Sequence, residues 1–394
     1  MSSFFRNKSW VTFPFFTLTT LASIVGLAIY IPLYGVHPLE PVVCVAFVYL
    51  VAWVVSSGYH RCFAHKSFRC HPALKIFYLI VGSAAFQQSA LKWVSDHRYH
   101  HQYVDTDKDP YNIQKGFWWA HMGWILEKAP EGSREKILAN TPDLRRDKWI
   151  VWQDRYWPLI GALISIIIPV AIGFMIHRPF GMFLWAGLTR VVLSLQSTFL
   201  INSLAHKFGT QPYTDKHSAH DVWWIAPLFC GENYHNYHHA FQGDYRNGVR
   251  WYQWDPSKWS LWLLAHTPLV KDLRRTPQHV ILKTRLEMDL KRLEEKTRPF
   301  AEESKARLLE YLQGMRQRLE EAALLYHQTR KNYRELKKNM VAYSRASLVD
   351  AKKSLRERRA IFKNTMRDWQ RVVRMRSEVF RFFAQGQSGM SPTS

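Results

Sequence analysis

The sequence predicts an all-α integral membrane protein: four transmembrane helices in two hairpins, capped by a helical domain with a multi-histidine metal site, then a C-terminal helical, coiled-coil-like extension. Three observations predict it. Four apolar stretches occur as two tightly linked pairs, nine histidines gather in four short clusters near those stretches, and heptad periodicity runs through the C-terminal region.

A hydrocarbon core about 30 Å thick needs roughly 20 apolar residues in a helix. Residues 11–34, 41–57, 157–177 and 180–201 come close to that length. The linkers within each pair, GVHPLE and HRPF, are so short that each pair makes a hairpin and the chain returns to its starting side. The first run lacks a small-residue cleavage site after a short apolar core, so it reads as a retained anchor, not a signal peptide. Arg6 and Lys8 precede it, and fifteen Lys or Arg lie in residues 58–156, whereas the hairpin tips hold only Arg178. Positive charge marks the cytoplasmic side, so both termini (the first being residues 1–10) and every histidine cluster are expected there.

Residues 73–91 are also apolar and nearly long enough to span. A crossing there would put the first two histidine clusters on opposite sides, so this segment is expected to be interfacial or re-entrant, helped by Lys75, Gln87 and Gln88. The membrane region is thus expected over 11–270.

The chain of 394 residues carries a formal charge of +23. From Lys271 onward there are 30 Lys plus Arg against 15 Asp plus Glu, so +15 belongs to the last third. The basicity is mainly a property of the extension, and no nucleic-acid partner is expected. Cys44, Cys62, Cys70 and Cys230 lack paired spacing and read as reduced and structural.

The nine clustered histidines are His60 and His65 in HRCFAH, His97, His100 and His101 in HRYHH, His206 in NSLAH, and His235, His238 and His239 in HNYHH. Neutral imidazole is a common ligand for iron, copper and zinc. The spacing i, i+3, i+4 puts each HxxHH triad on one helix face, where it can serve two neighbouring ions. His60 and His65 stand about 140° apart on an ideal α-helix, which places one of them just past the helix end. Asn202 and His206 are i, i+4 at the end of the fourth span. One HxxHH in a basic loop is ordinarily a solvated patch; two copies, an HxxxxH and a helix-end histidine on one membrane side reverse that reading. Nine imidazoles without cysteine suggest two ions of higher coordination number; iron with oxygen chemistry is favoured, with zinc and copper as alternatives.

With the flanks GYHRCFAHKSF, SALKWVSDHRYHHQYVDTDKDPYN, FWWAHMGWIL, NSLAH and GENYHNYHHAF, the chain resembles the membrane fatty acyl desaturases of the stearoyl-CoA type over roughly residues 20–260. The resemblance implies one iron held by His60, His65, His97, His101 and His239 and another by His100, His206, His235 and His238, with Asn202 holding the second ion's water. It implies an oxygen-dependent reaction that introduces a cis double bond, of delta-9 position, into a saturated acyl chain. It further implies Gln87, Trp93, Thr198 and Phe199 at the bend of an acyl tunnel. Phe117, Trp118, Trp119 and Trp124 can supply further walls or form an interfacial aromatic belt. Asp96 and Glu232 are candidates to orient histidines. Asp105, Asp107 and Asp109 are expected in hydrogen bonding and turn formation, not in calcium binding.

Acyl-CoA members of that type carry a basic residue before the Asp-His of the second box and a basic pair after the next Gly-Trp segment. Here Ser95, and Glu127 with Lys128, stand at those places. Acyl-CoA leads as carrier, with Lys128 as its remaining cation, and phospholipid or acyl carrier protein as alternatives. Neither a haem nor an iron–sulfur motif lies in the chain, so a ferredoxin-like or b-type cytochrome donor with its reductase is expected. The expected location is the bacterial inner membrane. The rival functions are a di-iron lipid hydroxylase or ketolase and a histidine-rich metal-binding or transport protein; the latter calls for ligands at mid-membrane.

From about Val280 the chain is charged and helical in period. Leu308, Leu312, Met315, Leu319, Ala322 and Tyr326 alternate steps of four and three, Tyr333, Leu336, Met340 and Tyr343 do the same, and Leu355, Phe362 and Trp369 follow at sevens. Long helices are expected over 271–378, broken near Pro299, with a flexible tail over 379–394. The extension can pack on the body, mediate oligomers, or dock an acidic carrier or anionic lipid.

Overall fold

The computed structural model describes residues 7–128, 132–297, 302–339 and 345–374. The expected break at Pro299 and the tail 379–394 lie outside the described residues, as do Met340 and Tyr343. The chain divides into two compact units, one reaching Gln211 and resuming at Asp215–Arg275, the other formed by Pro212–Thr214 and the chain from Thr276.

Four helices in the first unit are long and apolar enough to cross a membrane: α1 (Thr12–Tyr34), α2 (Leu39–Ala64), α5 (Lys148–Met175) and α6 (Pro179–Ser203). At 1.5 Å per residue the shortest, of 23 residues, is about 34 Å long. α1 is apolar all round and exposes Leu18, Leu21, Ile24 and Ile29, as a lipid-facing helix does. Its hairpin turns at Gly35 (φ +69°), a left-handed position that favours glycine. Within the first tip Tyr30 donates to Glu40 at 2.7 Å, and the two tips are tied together by Arg178 Nη1, which donates to the Tyr34 carbonyl at 2.7 Å.

α2 and α5 run further than apolar run length alone suggests. α5 begins at Lys148, capped by Asp147, whose carboxylate accepts the Trp149 and Ile150 amides. The last ten residues of α2, Val55–Ala64, are wound as a π-helix and buried throughout, so this stretch need not be apolar. Inside α6, Arg190 is fully buried, donating to the Ala84 carbonyl at 2.5 Å and to Ser165 Oγ at 2.6 Å. A cation at such a place has no signal in apolar periodicity.

The apolar segment after the first histidine pair forms α3 (Pro72–Ser83), whose 12 residues span only about 18 Å. It locks onto the π-helical stretch by a reciprocal fit. A Cβ on Gly58 would lie 2.6 Å from the Tyr78 ring, and one on Gly82 would lie 2.7 Å from Tyr59. The chain then reverses through Phe86 and Gln88, both at positive φ, and enters α4 (Ala90–Tyr103), capped by Ser89. Buried Gln153 of α5 accepts the Ala90 amide at 2.9 Å and donates to Tyr59 and Ser83, which offsets the cost of the bend. The reversal keeps the second histidine box on the same side as the first.

Among the short helices of this unit, α7 (His235–Ala240) and α8 (Pro256–Leu264) follow the fourth span. The antiparallel pair β1 (Arg69–Cys70) and β2 (Val270–Lys271) stitches its end to the loop after the first box. The second unit packs α9 (Gln278–Thr297), α10 (Glu302–Lys338) and α11 (Arg345–Arg374) around Leu286, Leu293, Leu312, Leu319 and Trp369. The extension is helical, and its heptad positions Leu308, Leu312, Met315, Leu319 and Ala322 are buried.

Candidate metal centre

Four structural elements bring the nine clustered histidines together. They form two groups: His60, His65, His97, His101 and His238, and His100, His206, His235 and His239; within each, one nitrogen per ring lies within 4.8 Å of all the others. The π-helical winding explains the first pair. His65 donates its amide to the His60 carbonyl at 3.1 Å, an i to i+5 bond, so residues five apart share a face and their rings stand 4.8 Å apart. The α-helical angle of about 140° therefore does not apply here.

On α4, His97 and His101 join one group while His100 joins the other. On α7 the division is mirrored, with His235 and His239 in the second group and His238 in the first. This corrects the partition implied by resemblance, which exchanged His238 and His239. Consecutive residues point about 100° apart on a helix, so the two must serve different groups. His238 Nε2 stands 3.0 Å from both His60 Nε2 and His101 Nε2, whereas His239 Nε2 stands 3.2 Å from His235 Nε2.

The donor chemistry fits metal ions. Glu232 Oε2 lies 3.0 Å from His60 Nδ1, Asp109 lies 2.9 Å from His100 Nδ1, and Ser218 Oγ lies 2.7 Å from His206 Nδ1. With the ring proton held at Nδ1, each Nε2 turns a lone pair inward. The Nε2 atoms of His206 and His235 lie 2.9 Å apart and those of His60 and His238 3.0 Å apart, close enough for one cation to be shared between each pair. His100 Nε2 is buried without a protein partner. Burial, and then the neighbouring imidazoles, lower the pKa of His65, His97, His101, His206, His238 and His239, and burial lowers His235 to about 3. All are neutral at physiological pH, the ligand form.

The carboxylates behind the rings are themselves fixed. Burial alone would raise Glu232, but His60, Arg61 and Ser56 outweigh it and hold the carboxyl down at about 2. Asn247 donates to its second oxygen at 2.9 Å. Arg61, buried between the two histidines of the first box, pairs with Asp255 at 3.0 Å and donates to the Tyr245 carbonyl at 2.9 Å. Asp255 also accepts the amides of Asn247, Gly248 and Lys258. On the other side, Asp105 accepts from Ser218 Oγ at 2.6 Å, so the acidic turn supports His206 and, through Asp109, His100. Arg61, Asn247 and Asp255 were missed from sequence. Their only signal is a charged residue inside HRCFAH, and the partners lie far along the chain.

A cavity runs from this centre between α2 and α6. Its lining includes His60, His97, His100 and His235 at one end, and Ala52, Val55, Trp124, Leu195 and Phe199 along the wall. Gln87, Trp93, Thr198 and Asn202 line it too. Trp93 donates to Gln87 at 3.1 Å and Gln87 donates to Thr198 at 2.7 Å, a polar clasp at the bend after α3.

Other expected positions fall elsewhere. Trp118 is 73% exposed, Trp119 lies half-buried under Lys115, and Lys128 is exposed; none of the three is in the cavity lining, which this segment reaches through Trp124 and Ile125 instead. Asp96 binds no histidine: it pairs with Arg134 at 2.6 Å and accepts from Gln88 at 3.3 Å, since its position on α4 faces that loop. Ser95 is buried against Thr141 at 2.8 Å, and Glu127 pairs with Lys8 at 2.9 Å.

Fold and site together define a helical membrane protein whose histidines converge on a metal centre at the end of an apolar cavity. A family profile described as fatty acid desaturase matches residues 6–262, and the chain belongs to that family. It is 39% identical over 252 residues to acyl-CoA desaturase 1 of Saccharomyces cerevisiae, covering 64% of this chain and 49% of the yeast protein. It is 30% identical over 272 residues to the sn-1 stearoyl-lipid 9-desaturase of a Synechocystis species, covering 69% of this chain and 82% of that one. Human stearoyl-CoA desaturase 5 is 33% identical over 239 residues, with 59% and 71% covered. The chain spans about half the length of its fungal relatives.

Proposed function

We propose that this protein is an oxygen-dependent fatty acyl desaturase that introduces a cis double bond, at the delta-9 position, into a saturated acyl chain. The observation that carries the reading is the cavity: a largely apolar passage that ends on histidines of both groups. Two irons would supply oxygen activation and hydrogen abstraction when bound, the first held by His60, His65, His97, His101 and His238, the second by His100, His206, His235 and His239 with Asn202 nearby.

The chain's own residues do the positioning. Gln87, Trp93 and Thr198 fix the bend, so that one methylene pair stops beside the histidines. Phe199 and Leu195 exclude water from the acyl path. Glu232, Asp109 and the Asp105–Ser218 pair keep the ring protons at Nδ1. The carrier is acyl-CoA, the substrate class named for the yeast and human relatives; a lipid-linked chain is the class named for the cyanobacterial ones. Burial of Ser95 and the Glu127–Lys8 pair remove two places where CoA phosphates would find cations, leaving Lys128 as the candidate. Electrons come from a separate ferredoxin-like or b-type cytochrome donor, and the site faces the cytoplasm of a bacterial inner membrane.

Lipid profiling of cells expressing the chain, against cells expressing His97→Ala, tests this reading. A delta-9 monoene that needs air and vanishes in the variant is the expected result. An unchanged double-bond profile refutes desaturation, and a hydroxylated or keto product replaces it with the related oxygenation.

A further inference from the structure

We propose that residues 223–228 and 251–263 form an aromatic platform immersed in the interface of the same bilayer that α1, α2, α5 and α6 cross. Six of its large apolar side chains, Trp223, Trp224, Leu228, Trp251, Trp262 and Leu263, are each more than half exposed, Trp251 reaching 83%. Residues 223–228 form a short 3₁₀-helix and residues 256–264 form α8, both outside the four spans.

Two hydrogen bonds fix their depth. Tyr49 donates its hydroxyl to the Pro227 carbonyl, and Trp53 Nε1 donates to Ser260 Oγ at 2.6 Å. Both donors sit on α2 well inside its apolar length. From Val54 to Ala64 every residue of α2 is buried by protein. Only Leu39–Trp53 is left to face lipid, 15 residues or about 22 Å, against a hydrocarbon core of about 30 Å. Its neighbour α1 offers exposed apolar side chains from Val11 to Tyr34, about the full thickness. The missing depth beside α2 falls where the platform lies.

The surface has the chemistry of that layer. Tryptophan and tyrosine favour the headgroup level, where the ring is apolar and its polar edge stays wet. Trp259 Nε1 donates to the Trp251 carbonyl at 3.0 Å, and Arg250 donates to Tyr252 OH at 2.5 Å, which sets a cation at the rim. An apolar surface of this size on a water-facing cap would invite aggregation. The proposal rests on membrane insertion and not on the catalytic reading.

The test uses the full chain in phosphatidylcholine–phosphatidylglycerol vesicles. Trp223→Cys and Trp262→Cys are labelled singly with a bimane fluorophore, beside Lys108→Cys in the exposed acidic turn; labelled wild type gives the background of the native cysteines. A lipid nitroxide at the fifth acyl carbon should quench the labels at 223 and 262 about fivefold more than at 108, with aqueous iodide giving the opposite order. Trp224→Cys and Leu263→Cys provide the same readout should either first variant misfold. Iodide quenching as strong at 223 and 262 as at 108, with no lipid quenching, would overturn the proposal and make the platform a water-facing docking surface.

Discussion

The two histidine groups differ in what completes them. The first has five imidazoles and is backed by one buried network, in which Glu232 is held by Ser56, Asn247 and Arg61, and Arg61 by Asp255. The second has four imidazoles, rests on Asp109 and on Asp105 through Ser218, and has Asn202 on the adjoining cavity wall. The first group therefore offers one more imidazole than the second. Both groups reach the cavity, the first through His60 and His97 and the second through His100 and His235, so a pair of ions held this way would differ in how many protein ligands each has and in what backs those ligands.

The largest effect that would break this comparison comes from the ligands themselves. His239→Ala leaves three imidazoles in the second group, and iron should fall toward about one per chain, measured by plasma mass spectrometry on the purified protein. His238→Ala leaves four in the first group and should retain more iron. Both should lose more than about 100-fold in desaturation, beyond the range for outer partners. Equal iron in the two variants would mean that the groups are not separate.

The outer partners sharpen the same contrast at smaller cost. Glu232→Gln should weaken the first ion, and Asp109→Asn the second, each by about 10- to 100-fold. Release of iron to a chelator should then be biphasic, with each substitution accelerating a different phase. Acceleration of the same phase by both would show that the carboxylates support one common unit.

Much of this was legible in sequence because it is local. An HxxHH motif on a helix fixes its own face, and Leu312, Leu319 and Trp369 reveal their helices by spacing alone. The hairpins were equally local, since GVHPLE and HRPF leave no other return path. What was not legible depends on winding or on distance. No apolar pattern announces that Val55–Ala64 is π-helical, and that winding alone puts His60 and His65 on one face. The choice between His238 and His239 depends on how α7 meets α2 and α4, which neighbouring residues cannot report. Arg61 reaches Asp255 and Tyr245 across nearly two hundred positions of chain. Asp96 looked like a histidine partner by adjacency to His97, yet a helix turns adjacent residues apart, and it meets Arg134.

Acidity separates the rings from the carboxylate behind them, with the smallest expected effect. In the metal-free chain His65, His97, His101, His206, His235, His238 and His239 titrate below the ordinary value of about 6.5, because burial disfavours the imidazolium. The unfolded chain therefore takes up protons first, and folding stability is lost as pH falls from about 6.5 through the lowered values. Glu232 has the same sign in a lower window: its folded value is near 2 against 4.5, so its contribution is full above about 4.5 and disappears toward 2. That carboxylate is worth on the order of 3 kcal/mol by linkage. Melting temperature of the metal-free protein, followed from pH 7.5 to pH 4, should fall progressively below about pH 6.5. Glu232→Gln should leave the upper part of that fall in place and flatten the part below about pH 4.5. Iron-loaded protein should resist the upper part, since bound metal competes with protons for the same nitrogens. A metal-free melting temperature that stays level from pH 7 to pH 5 would mean the inward nitrogens already carry protons, and the lone-pair geometry assigned to the centre would fail.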